Sequence, residues 1–156
     1  MRIPMPTLIA FAALTAACQP AGFDPDDPTI VAAIDSIVAD AMEGAREVDA
    51  DRVLAMAEGD GELTFITGDV MVSGLELLRE SSRATYAGLE SQGMDLIEKR
   101  VRVLSRDVAV VLAISEGDYT DKDGWTSEPI RIGHTIIFVR ENGQWRARHA
   151  HQSFTP

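Results

Sequence analysis

The second half of the chain constrains the fold most. From Gly93 onward four runs, 95–105, 108–120, 128–140 and 144–154, are rich in valine, isoleucine and threonine and are divided by turn residues, which is strand patterning rather than helical periodicity. Arg106-Asp107, Asp123-Gly124 and Asn142-Gly143 each supply a hairpin turn, so an antiparallel meander is expected. In the second run Ala109, Val111, Ala113 and Ser115 share one face, and Val108, Val110, Leu112 and Ile114 share the other. Both faces are apolar, whereas a solvent-facing antiparallel sheet alternates with polar side chains. One face is therefore expected to cover helices and the other to meet a second copy of the chain. In the third run Ile130, Ile132, His134, Ile136 and Phe138 form one stripe, opposite Arg131, Thr135, Ile137 and Val139.

The first half reads as helices. Asp27 can cap and Pro28 fits a first turn, and Ile30, Ile34, Ile37, Val38 and Ala41 then recur at helical spacing, predicting a helix over about 28–47. Asp49 starts a shorter helix with Val53, Leu54 and Met56, stopped by Gly59-Asp60-Gly61. Residues 63–67 form a brief strand. Ser73-Gly74-Leu75-Glu76 matches a capping box and opens a third helix to about Ser91, with Leu75, Leu78, Ser82, Tyr86 and Leu89 as its stripe.

The N-terminus carries an address. Residues 1–17 hold a basic start at Arg2, a short apolar run from Leu8 to Ala17, and small residues before Cys18, the pattern of an export signal. The run is far below the ~20 residues of a spanning helix. Leu14-Thr15-Ala16-Ala17-Cys18 resembles a bacterial lipobox, which implies cleavage before Cys18 and lipid on the new terminus. Gln19 in place of aspartate resembles an outer-membrane sorting signal. The expected organisation is a signal over 1–17, a tether over 18–27 and a domain over 28–156, lipid-anchored in the cell envelope at the outer membrane and facing the periplasm.

Composition removes other classes. Against 14 basic residues stand 25 acidic ones, a formal net charge of −11, which repels phosphate backbones and argues against nucleic acid as a partner. One cysteine makes no internal disulfide, and three histidines without a second cysteine give no zinc-finger spacing. There is no nucleophile elbow, phosphate loop, dinucleotide fingerprint or HExxH motif.

The order of elements, together with the closing stretch Phe138-Val139-Arg140-Glu141-Asn142-Gly143-Gln144-Trp145 and His149-Ala150-His151-Gln152-Ser153, resembles the SnoaL-like branch of the nuclear-transport-factor-2-like superfamily. The closing hairpin is also similar to that of the calmodulin-dependent kinase association domain. The resemblance spans roughly 28–155. It implies an α+β, cystatin-like cone of αα-β-α-ββββ order, in which a curved antiparallel sheet wraps a long helix, the concave side encloses a pocket and the convex side commonly dimerises. The arginines of the kinase domain's pocket fall at Ser115, Ile136 and Gln152 here, so its anion site does not carry over.

Within such a cone Ala109, Val111 and Ala113 would form a small-residue wall with Ile136, and Ser115, His134, Tyr86 and Gln152 its polar points. His134, in an apolar stripe, would be held neutral by burial and could act as a base, or could be a core histidine satisfied by a neighbour. Tyr86 could polarise a carbonyl or simply pack. His149 and His151 share a strand face, opposite Arg148, Ala150 and Gln152 on strict alternation, at the convex surface; a β-bulge near Trp145 would reverse this. No third ligand stands beside them, so neither metal nor cofactor is expected. Three readings follow. The first is a lipid-anchored homodimer binding a small, mostly apolar molecule. The second is an isomerase, dehydratase or cyclase using His134 and Tyr86 as catalytic acid–base pair. The third is a dimerisation module with a filled cone.

Overall fold

The computed structural model describes residues 24–59 and 61–155; the expected signal over 1–17, Cys18 and most of the expected tether lie outside them. Helix α1 (Pro28–Arg46) begins where Asp27 accepts hydrogen bonds from the Thr29 and Ile30 amides, at 2.9 and 3.3 Å, a cap worth about 1 kcal/mol. Its buried face is Ile34 and Val38, with Ile30 and Ile37 alongside. Asp49 caps α2 (Ala50–Leu54), which runs into a single 3₁₀ turn, Ala55–Ala57. The two helices touch at Gly44, where a Cβ would lie 2.9 Å from the Val53 backbone, so a larger residue would push α2 away.

Strands β1 (Thr64–Thr67) and β2 (Val70–Ser73) form a hairpin before α3 (Leu75–Tyr86). The expected capping box is not formed. Ser73 pairs with Thr64 as the last residue of β2, and Gly74, at φ 99°, takes the cap position and donates its amide to Leu63. Helix α3 also ends earlier than expected, because Gly88 follows and the next residues enter β3 (Leu89–Gln92).

The main sheet contains β4 (Asp95–Ser105), β5 (Val108–Gly117), β7 (Ile130–Glu141) and β8 (Gln144–Thr155), antiparallel neighbours as the turn pattern predicts. Asn142 and Gly143 both take positive φ, 50° and 81°, as a tight hairpin turn requires. Two features correct the expected meander. The first is β1, which adds to β8 in parallel, giving the order β2-β1-β8-β7-β5-β4 and a mixed sheet. The second is that the run 108–120 breaks at Gly117, where a Cβ would come within 2.4 Å of the Gly93 carbonyl. Beyond it, β6 (Tyr119–Asp121) leaves the sheet to pair with β3, and Asp123-Gly124 turns a small flap rather than joining two long strands.

The core lies between α1 and the inner face of this α+β fold: Ile34 and Val38 meet Ala109, Val111, Phe138 and Ala147. Across the β7–β8 pair the partner of Ile137 is His149 but that of Phe138 is Ala147, so Arg148 is an extra residue. This bulge lets Trp145 and Ala147 face inward before it and Ala150 after it. The Arg148 guanidinium binds the Glu141 carboxylate, holding that acid below the usual carboxylate range, and donates to the Ala57 carbonyl at 2.7 Å. The bulge thus fastens the turn after α2 to the sheet. On the outer face Leu112 is 46% exposed and Ile114 37%, beside half-buried Val110, Ile137 and Val139. Among the described residues no helix is long and apolar enough to cross a membrane.

Candidate functional site

A single row of side chains crosses the inner face of the sheet: Lys99 on β4, Ala113 on β5, His134 on β7, Gln152 on β8 and Thr67 on β1. Lys99 pairs with Asp35 of α1, Nζ to Oδ1 2.7 Å. His134 and Gln152 instead border a cavity roofed by α2 and α3. The cavity is a partly open cleft of about 280 Å³, a size that suits a molecule built on one ring.

The walls divide by chemistry. Val53, Leu54 and Met56 from the α2 segment, Leu63 just before β1, Phe65 within it, Leu78, Ile136 and Ala150 make the apolar part. Ser81, Ser82, Thr85 and Tyr86 of α3 stand on one side, and His134, Gln152 and Thr67 on the other. Among the described residues no aspartate, glutamate, lysine or arginine lines it, in a chain of net charge −11. An ionic ligand entering here would lose its hydration and gain no counter-charge, which costs several kcal/mol; a neutral one would not.

Both ring nitrogens of His134 have partners. Nε2 is 2.6 Å from the hydroxyl of wholly buried Ser115, and Nδ1 is 3.4 Å from the Gln152 amide nitrogen. Burial lowers the His134 pKa, so the ring is neutral near pH 7. Burial raises the Tyr86 pKa, and a hydrogen bond from Gln92 pulls it partly back; the phenol therefore keeps its proton. A neutral imidazole and a phenol in one apolar chamber can accept and donate hydrogen bonds, or exchange a proton with a bound molecule.

Of the sequence-derived candidates, Tyr86, His134, Ile136 and Gln152 border this cavity. Val111 and Ser115 do not. They are 0% exposed, packed behind the wall against α1 and His134, and Ala109 is likewise sealed in the core. Ala113, 8% exposed, belongs to the same core cluster. His149 and His151 pair with Ile137 and Thr135 on the outer face, because the bulge at Arg148 returns Ala150 and Gln152 to the inside; His151 also borders the cavity. Among the described residues no group of three or more histidine, cysteine or acidic side chains is placed to hold a metal ion.

The sequence did not single out Ser81, Thr85, Phe65 or Thr67, and marked Met56 only as an apolar residue of the second helix. Ser82 and Tyr86 share one helical stripe and carried a signal, but the rest depend on where α2 and β1 come to lie.

The SnoaL-like domain family matches residues 12–156. No curated protein matched the chain. Among solved structures, a nuclear-transport-factor-2-like superfamily protein from Salmonella enterica serovar Typhimurium superposes with a TM-score of 0.74 at 16% identity, covering 83% of this chain and 93% of that one. Hexachlorocyclohexane dehydrochlorinase LinA-type3 from Novosphingobium barchaimii gives 0.70 at 14% identity, covering 83% and 88%. A protein with a cystatin-like fold from Caulobacter vibrioides gives 0.69 at 16% identity, covering 81% and 89%. At these identities the likeness is one of fold.

Proposed function

The chain belongs to the SnoaL-like domain family, and on that premise we propose that its cone binds a small, neutral, mostly apolar molecule in the cavity beneath α3. The observation that carries this is the lining itself: about 280 Å³ bordered by apolar side chains, hydroxyls, an amide and histidines, with no aspartate, glutamate, lysine or arginine among the described lining residues. A filled cone would leave no such space, which sets the dimerisation-only reading behind this one. The reading extends to the setting. Cys18 would carry the acyl chains that hold the domain at the envelope, and the exposed Leu112–Ile114 face would be covered by a second copy.

A second reading is an isomerase- or dehydratase-type enzyme. It is favoured by His134 and Tyr86 bordering one cavity and by the dehydrochlorinase among the structural neighbours. It ranks second because the partners of His134 are a serine and a glutamine rather than a carboxylate that would raise its basicity. The test is methyl NMR of Met56 and Ile136 during titration with acetophenone and, separately, benzoate, two single-ring probes of similar size. Shifts with the ketone alone support the neutral cavity; a preference for benzoate would refute it.

A further inference from the structure

The cavity offers one nitrogen of His134, and its surroundings decide which and in what state. Ser115 is 0% exposed and grips Nε2 at 2.6 Å from behind the wall, so no ligand reaches that atom. Nδ1 faces Gln152, which itself borders the cavity, across 3.4 Å. That contact is longer than the 2.7–3.2 Å of a well-formed bond from an N–H. An amide nitrogen carries hydrogens and no acceptor lone pair, so Nδ1 opposite it is the bare, accepting nitrogen. The ring proton is then on Nε2 and is donated to the Ser115 oxygen.

Across the cavity Tyr86 supplies the complement. Its side chain lines the same cavity, and burial keeps the phenol protonated, so it can donate that proton.

We propose that Ser115 acts as a positioning residue fixing His134 as the Nε2–H tautomer, and that the cavity selects neutral single-ring molecules bearing a hydroxyl or N–H. That donor takes Nδ1 by displacing the Gln152 amide, and an acceptor at the other end meets Tyr86. This rests on the reading that the cavity binds a small neutral molecule.

The test uses the whole protein with ¹⁵N-labelled histidine and two probes of similar size, 4-hydroxyacetophenone and 4-methylacetophenone. In the free protein, ring ¹⁵N shifts should show Nε2 protonated and Nδ1 bare, and the hydroxyl probe should shift Nδ1. That probe should bind about three- to tenfold more tightly than its methyl analogue, the span of one net hydrogen bond. Gln152→Leu removes the internal competitor and should tighten the hydroxyl probe. Ser115→Ala should mix the two tautomers and shrink the preference, and Ser115→Thr, which keeps the hydroxyl, should restore it. A proton on Nδ1 in the free protein, or equal affinity for both probes, overturns this proposal and leaves the binding cavity standing. Failure of both probes to move Met56 and Ile136 overturns the cavity reading, while the ring shifts still decide the tautomer.

Discussion

Ser115 Oγ lies 2.6 Å from Nε2 of His134, joining a residue that no ligand can touch to the most versatile side chain of the cavity. The two are diagonal neighbours on the inner sheet face, since Ser115 pairs with Ile132 and His134 with Ala113. Cutting the contact should leave a buried N–H without a partner. Ser115→Ala is expected to lower stability by about 1–3 kcal/mol in denaturant unfolding. A change within about 0.5 kcal/mol, the level of an ordinary surface substitution, would show that the bond contributes nothing.

His134 should make stability depend on pH with a definite sign. Its folded pKa lies below the ordinary 6.5 because of burial, so the unfolded chain binds the proton more readily. Stability from this group is therefore present above pH 6.5 and is lost as pH falls toward the folded pKa, with a slope of at most about 1.4 kcal/mol per pH unit. The wild-type minus His134→Gln difference in unfolding free energy, followed from pH 7 downward, should show this decline. A flat difference, or one that grows on acidification, contradicts the neutral buried imidazole.

These features were unequally legible in the sequence. The faces of β5 and β7 could be read because alternation is local, and Asn142-Gly143 because a two-residue turn needs those conformations. The capping box failed because Ser73 was claimed by a strand partner, Thr64, that local pattern does not reveal. The parallel pairing of β1 with β8 joins residues more than eighty positions apart, and the extra residue Arg148 is set by its contacts with Glu141 and Ala57. For the site, the stripe carrying His134 and Ile136 was visible, as was Tyr86 on its helix. What composition could not show is that α2 and α3 leave space over Gln152 while α1 fills the space over Val111.

The outer face yields a test of association. With Leu112 and Ile114 at 46% and 37% exposed, residues 19–156 should sediment as a dimer at micromolar concentration. Leu112→Arg, which places a charge at the centre of that face, should give a folded monomer. A wild-type monomer at tens of micromolar, or a Leu112→Arg dimer, would mean that this face is not the contact.

The envelope reading stands on Cys18. Cys18→Ser should move the protein from the membrane fraction to the soluble one. Retention of the variant in membranes at its full unprocessed mass would refute lipid anchoring.

The central claim is that the cavity beneath α3 holds a small neutral molecule, and native mass spectrometry of protein purified from its own cells tests it most directly. The Ala150→Trp variant, whose indole would occupy the space between Phe65 and Ile136, serves as the comparison. The account predicts one added small-molecule mass per chain on the wild type, released on denaturation as an uncharged compound, and absent from Ala150→Trp. The same added mass on both proteins, or bare wild-type protein that also takes up no neutral single-ring probe, would contradict it.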